Sequence, residues 1–122
     1  LAQRFLGQSE SEDGGRTWTT IHRTEIWGCP PHLTRLSDGR LLLVYGHRRP
    51  PYGQRACLSC DNGRTWDLQH EIALTDAPDG DLGYPASTQL SDGSILTIYY
   101  QKDEPDEKPC LMGTHWRLPK QR

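Results

Sequence analysis

The side chains best equipped for chemistry gather around two Gly- and Pro-marked connections, 47–54 and 76–84. Arg48, Arg49 and Arg55 carry planar guanidinium groups, which grip a carboxylate through two parallel N–H donors in a way lysine cannot copy. Tyr52 and Tyr84 carry phenols. With its ordinary pKa of about 10, a phenol is a weak nucleophile and needs a neighbouring base to take its proton. His47 and Gln101 add hydrogen-bonding groups at equivalent places in an internal repeat and are candidate ligand contacts. Simpler readings stand beside each of these. Tyr84 reads equally as an aromatic packed between repeats. Arg55 reads equally as the partner of Asp76, Asp79 or Asp81 in an exposed ion pair, worth at most ~1 kcal/mol.

Other chemistries are disfavoured by composition and spacing. A net charge of −2 gives no basic field for nucleic acid. The longest apolar run, 41–45, is far short of the roughly 20 residues that span a bilayer. Cys57 and Cys60 form a C-x-x-C, but no second Cys or His pair completes a zinc site, so no metal and no cofactor is expected. Cys29, Cys57, Cys60 and Cys110 lack the framework spacing of a small secreted domain and read as free thiols. His22, His32, His70 and His115 show no metal spacing and read as surface or hydrogen-bonded residues. The charged, Pro-interrupted run 102–108 reads as a solvated loop. The chain opens on Leu1 with no signal-like segment ahead of its first motif, which suggests that the true N-terminus was lost, processed or never sequenced. Nothing in the sequence specifies a compartment.

The elements that must position these groups come from the repeat. Residues 11–18 (SEDGGRTW) and 59–66 (SCDNGRTW) share the pattern S-x-D-x-G-R-T-W. A second shared segment, L-S-D-G, begins at Leu36 and again at Leu90, each time with a Pro-containing run before it and an apolar run after it. Repeats of about 50 residues indicate blades or solenoid coils. Asp-Gly and Asn-Gly turns between short β-prone runs, with 12 Gly and 9 Pro in all, select antiparallel strands over helices. The complete copy holds four strands, over 31–36, 40–45, 55–59 and 65–72. Two strands precede it, over 3–8 and 17–22, and three follow, over 86–90, 94–100 and 111–117. The fold expected is therefore all-β, a partial β-propeller of about two four-stranded antiparallel blades. It is one domain over 1–122: a half blade with the first box (1–25), a complete blade with the second (26–75) and a three-stranded blade (76–122). A propeller closes with about 4 to 8 blades, so the exposed edges call for the remaining blades of a longer protein or for self-association.

S-x-D-x-G-x-T-W is the Asp box, or bacterial neuraminidase repeat, and both copies match it at every defining position. Ser11, Asp13, Gly15 and Trp18, with Ser59, Asp61, Gly63 and Trp66, form a folding device: the carboxylate satisfies backbone N–H groups at the hairpin tip and the indole covers it. The stretch from Arg55 through the box to the G-Y-P-A-S-T-Q-L-S-D-G run after Leu82 resembles the C-terminal part of the sialidase (neuraminidase) family. That resemblance implies a six-bladed propeller and an exo-glycosidase releasing terminal sialic acid or a related glycoside. It implies that Arg55 binds the substrate carboxylate and that Tyr84 holds the nucleophile position. Two departures accompany it. Pro85 follows Tyr84 where the family has Ser, and the family's Glu position falls on Tyr100 or Gln101.

Strand alternation places the boxes and the L-S-D-G turns on one end of the blades and the longer connections, 47–54, 76–84 and 101–109, on the other. Arg48, Arg49, Tyr52 and Arg55 are thereby expected to approach Tyr84, with His47, Arg48, Arg55 and Gln101 as binding residues. Two functions follow: a sialidase-like exo-glycosidase of which this chain is a part inactive alone, or a non-catalytic Asp-box propeller that binds glycans or proteins on its long-loop face.

Overall fold

The computed structural model describes residues 4–120. It is all-β, three antiparallel sheets and one 3-10 turn, with no α-helix among the described residues. The first sheet pairs β1 (Phe5–Gln8) with β2 (His22–Trp27). The second orders β3 (Pro31–Arg35), β4 (Leu41–His47), β5 (Gly53–Ser59) and the short β6 (Ile72–Ala73). The third orders β7 (Leu82–Gln89), β8 (Ile95–Gln101) and β9 (Cys110–Trp116). The sheets stack face to face and do not close into a ring.

Period-two alternation in β4 and β5 drives the stacking. Leu42, Val44, Ala56 and Leu58 point to one side and pack with Ile95 of β8. Leu43, Tyr45 and Cys57 point to the other and pack with Ile26 of β2. Each face needs a neighbouring sheet, because both are apolar. Burial raises the Tyr45 phenol well above its usual range and pushes the Cys57 thiol up to about 12, so both stay neutral in the core. The Tyr45 hydroxyl donates to Glu71. Polar links stitch the third sheet to the second: Ser87 donates its N–H to His32 at 3.2 Å, and Ser37 donates its N–H to Gln89 at 2.8 Å.

The tight turns form as their sequence dictates. In both L-S-D-G copies the glycine N–H closes onto the leucine carbonyl, Gly39 on Leu36 at 3.0 Å and Gly93 on Leu90 at 2.9 Å. In the boxes, Asp13 and Asp61 each accept from the threonine hydroxyl and N–H four residues on and from the serine hydroxyl two residues back. These bonds, the threonine hydroxyl first, hold both carboxyls down at about 2. Trp66 also reaches across to the first sheet, donating to Gln8 at 3.0 Å, while Trp18 donates to Gly15 in its own turn and is 61% exposed.

Several strands differ from their expected positions. The strand expected over 3–8 begins at Phe5, and Gln3 lies outside the described residues. The strand expected over 17–22 forms instead at His22–Trp27, because that placement buries Ile26 against Tyr45 and Cys57. The outer strand expected over 65–72 gives way to a 3-10 turn, Leu68–His70, which Asp67 caps by accepting the His70 N–H, leaving only Ile72–Ala73 to pair with β5. β7 starts earlier than expected, at Leu82, and absorbs Pro85 through an irregularity in pairing between Gly83 and Ala86.

The depressed box carboxyls fix a pH response. A carboxyl held near 2 in the fold and near 3.9 when unfolded stabilises the protein fully above about pH 4 and loses that contribution as pH falls toward 2. The thermal midpoint is expected to be level near neutrality and to fall between about pH 4 and 2. Asp61→Asn is expected to lower the neutral midpoint and flatten the acid limb, and an acid limb as steep as wild type would refute the assignment.

Candidate functional site

The long connections emerge at the end opposite the boxes, and there the structure builds two clusters on opposite faces of the second sheet. Arg55 and Tyr45 are register partners and share the face toward the first sheet. Arg48 turns the other way, toward β7. Arg55 and Tyr84 therefore do not converge; of the residues expected to approach Tyr84, Arg48 does so.

Close backbone approach makes the Arg48 cluster. A Cβ on Gly46 would lie 3.1 Å from the Cα of Gly83, so the bare glycines let β4 and β7 nearly touch. A Cβ on Gly83 would lie 2.6 Å from Nη2 of Arg48, which rests on the space a side chain would fill. From there the guanidinium carbon sits 5.8 Å from the Tyr84 ring centre, and Nη2 donates to the Tyr100 hydroxyl at 3.4 Å. The rings of Tyr84 and Tyr100 lie 5.9 Å apart, tilted by 32°. Tyr84 is 67% exposed and adopts φ 51°, a left-handed conformation costing of order 1–3 kcal/mol for a non-glycine residue. Among the described residues no group hydrogen-bonds its phenol.

Beneath the tyrosines lies a buried amide network. Gln101 accepts from Gln54 Nε2 at 3.2 Å and from the Thr75 hydroxyl at 2.9 Å, and donates to the Asp76 carbonyl at 2.9 Å. Gln101 thus braces the 74–76 connection from inside, with 4% of its surface exposed, and contributes no ionised carboxylate. Nε of Arg48 and Oε1 of Gln54 are buried without a protein partner among the described residues. Lys102 takes Asp79 at 3.0 Å and Asp81 at 3.9 Å, so these carboxylates tie the 76–81 and 102–109 loops and do not pair with Arg55.

The second cluster holds the other two expected binding residues. Arg55, 7% exposed, donates through Nη2 to the Pro51 carbonyl at 2.9 Å, and His47 Nδ1 contacts the same oxygen at 2.9 Å. Both thereby anchor the 48–52 loop, and Nη1 of Arg55 is buried without a partner among the described residues. Beside them Trp27 meets His47 edge-on at 5.3 Å and carries Arg49 over its ring at 4.0 Å. Gln54 and Trp27 escaped the sequence reading, which met Tyr100 only as one of the two positions where the family's Glu would fall. The signal for Tyr100 was its place directly before Gln101 at a strand end; nothing local marked Gln54. No group of three or more His, Cys, Asp or Glu able to hold a metal ion occurs among the described residues. No helix among them is long and apolar enough to cross a membrane.

Box hairpins at one end of stacked antiparallel sheets and long loops at the other define a BNR-type repeat protein. The profile of the BNR repeat-like domain matches residues 2–98, and the chain belongs to that family, within the sialidase/BNR superfamily. No curated protein matches it. The crystal structure of a protein of unknown function from Dyadobacter fermentans DSM 18053 is similar at 32% identity with a TM-score of 0.84, over 96% of this chain and 32% of that one. The chain thus spans about a third of the length of that solved structure.

The amide network sets a stability test. Gln101→Leu leaves the Asp76 carbonyl, the Thr75 hydroxyl and the Gln54 amide short of a partner, and is expected to cost about 1–3 kcal/mol in denaturant unfolding. An unchanged denaturation midpoint would show that the network contributes nothing.

Proposed function

We propose that this chain is part of a larger β-propeller protein and that its long-loop end binds glycan without hydrolysing it, through Tyr84, Tyr100 and Arg48. The observation that carries this reading is the Tyr84 phenol, exposed beside a second phenol and a guanidinium with no carboxylate bonded to it. Aromatic faces at a loop surface suit the C–H faces of sugar rings. A guanidinium beside them suits a ring hydroxyl or a sugar carboxylate. The strained backbone at Tyr84 supports a functional surface, since such conformations cluster at ligand clamps. A tyrosine nucleophile, by contrast, needs a base, and the neutral amide of Gln101 cannot serve as one.

The second reading, a sialidase-like exo-glycosidase with Tyr84 as nucleophile and Arg55 at the substrate carboxylate, draws on a different observation. Arg48 Nε and Arg55 Nη1 are cationic donors buried without a partner among the described residues, which suits an anionic substrate once the remainder of the protein supplies a base and an acid.

The two readings separate in the longer protein. Tyr84→Ala and Arg48→Ala are each expected to weaken binding to sialylated or uronate-bearing glycans on an array by at least ~10-fold, with Tyr84→Phe close to wild type. Turnover of a fluorogenic sialoside that falls at least ~100-fold in Tyr84→Phe would establish the glycosidase instead.

A further inference from the structure

The 48–52 loop carries a second aromatic–guanidinium pair on its other side. Consecutive side chains leave the loop in opposite directions. Arg48 turns toward β7, with its guanidinium carbon 5.8 Å from the Tyr84 ring centre. Arg49 turns toward the end of β2, with its guanidinium carbon 4.0 Å from the centre of the Trp27 ring, and so belongs to a different cluster from Tyr84. Trp27 is half-buried and Arg49 exposed. A guanidinium seated on an aromatic face keeps its in-plane N–H donors. Among the described residues Arg49 makes no hydrogen bond and no ion pair, so its donor fork is available to a ligand.

The same indole meets His47 edge-on at 5.3 Å. His47 Nδ1 lies 2.9 Å from the Pro51 carbonyl oxygen; a carbonyl only accepts, so Nδ1 carries the hydrogen and Nε2 of the neutral ring remains an acceptor. The cluster thus offers a carboxylate fork, held on its indole, beside an acceptor for a sugar hydroxyl. The loop that separates it from Tyr84 is tied down along its length. The Pro51 carbonyl accepts from Arg55, the Ala77 N–H donates to the Tyr52 carbonyl at 3.0 Å, and Tyr52 packs on Gly80, where a Cβ would lie 3.4 Å from its ring. A loop held in this way fixes the spacing between the two clusters, and a ligand that spans them does not have to order it first.

From these observations we infer that Arg49 and His47, with Trp27 positioning the guanidinium, form a second subsite for an acidic sugar residue, and that the ligand of this end is an oligosaccharide bearing carboxylates on more than one of its residues, laid across the 48–52 loop. One acidic residue sits at Tyr84, Tyr100 and Arg48, and another places its carboxylate on the Arg49 fork and a hydroxyl on His47 Nε2. Two linked contacts on a rigid loop raise affinity beyond either alone, because the second forms at the high effective concentration set by the first. Trp27 touches no ligand in this arrangement; it holds Arg49 in one place, which reduces the rotamer entropy lost on binding. The inference rests on the glycan reading and adds to it the charge and the length of the ligand.

Calorimetric titration of the intact protein with oligogalacturonides and with oligosialic acids, each from the monomer to the hexamer, separates the two subsites, and the series that responds identifies the acidic sugar. Affinity is expected to rise at least ~10-fold from the monomer to the longest member of one series. Arg49→Ala is expected to remove most of that gain and to leave monomer binding within about twofold of wild type, whereas Tyr84→Ala weakens every length. Trp27→Ala is expected to act like Arg49→Ala, and Trp27→Phe, which keeps a ring under the guanidinium, to restore most of the gain. Arg49 is exposed, so its variant carries the test even where Trp27→Ala lowers the thermal midpoint. A hexamer also offers more positions to a single subsite, and a gain from that cause alone persists in Arg49→Ala. A gain that survives Arg49→Ala, no gain in either series, or a monomer weakened as much as the hexamer overturns the second subsite and leaves the Tyr84 reading in place. No binding of any length by the wild-type protein overturns both.

Discussion

Everything in this structure depends on the central sheet being apolar on both faces. β4 carries Leu41 to Tyr45 without a polar interruption, and β5 answers with Ala56, Cys57 and Leu58. A strand pair of that composition is stable only between two other sheets, each covering about half of its side chains. Ile26 on one side and Ile95 on the other supply the minimum. The offset of β2 follows from the same demand, as does the close contact of Gly46 with Gly83.

The two ends of the stack solve different problems. At the box end, the boxes and the L-S-D-G turns hold their shape through bonds within a few residues from Asp, Ser and Thr side chains. At the loop end, the bonds are long-range: Arg48 to Tyr100, Gln54 to Gln101, Gln101 to the Asp76 carbonyl. Such loops hold their shape only when the sheets are stacked, so the shape of that end is a product of assembly. The buried donors of Arg48 and Arg55 that lack a partner among the described residues occur at this end.

Arginine plays two roles here that composition cannot tell apart. Arg55 is buried and donates through one nitrogen to the Pro51 carbonyl, the oxygen that His47 also contacts. Arg48, seven residues earlier in the same hairpin, crosses to the next sheet because a glycine there leaves room for its guanidinium. The difference is one of strand face: neighbouring positions in a pleated strand point to opposite sides, and each side meets a different sheet.

The sequence by itself determined the repeat, the antiparallel strands, the turn-rich end and the identity of the box residues as a folding device. Those features rest on contacts within about ten residues, where Asp-Gly turns, S-x-D-x-G-x-T-W spacing and period-two hydrophobicity act directly. It also placed Arg48 near Tyr84. It did not separate Arg55 from them, shift the second strand to bury Ile26, or shorten the outer strand where Asp67 caps a turn. Nor did it reveal Tyr100 as the partner of Tyr84 and Arg48, or Gln54 and Thr75 as the groups that hold Gln101 inside. Only the tertiary structure decided these, because each depends on which sheet a strand face meets, and that is set by the packing of apolar faces between units far apart in the chain.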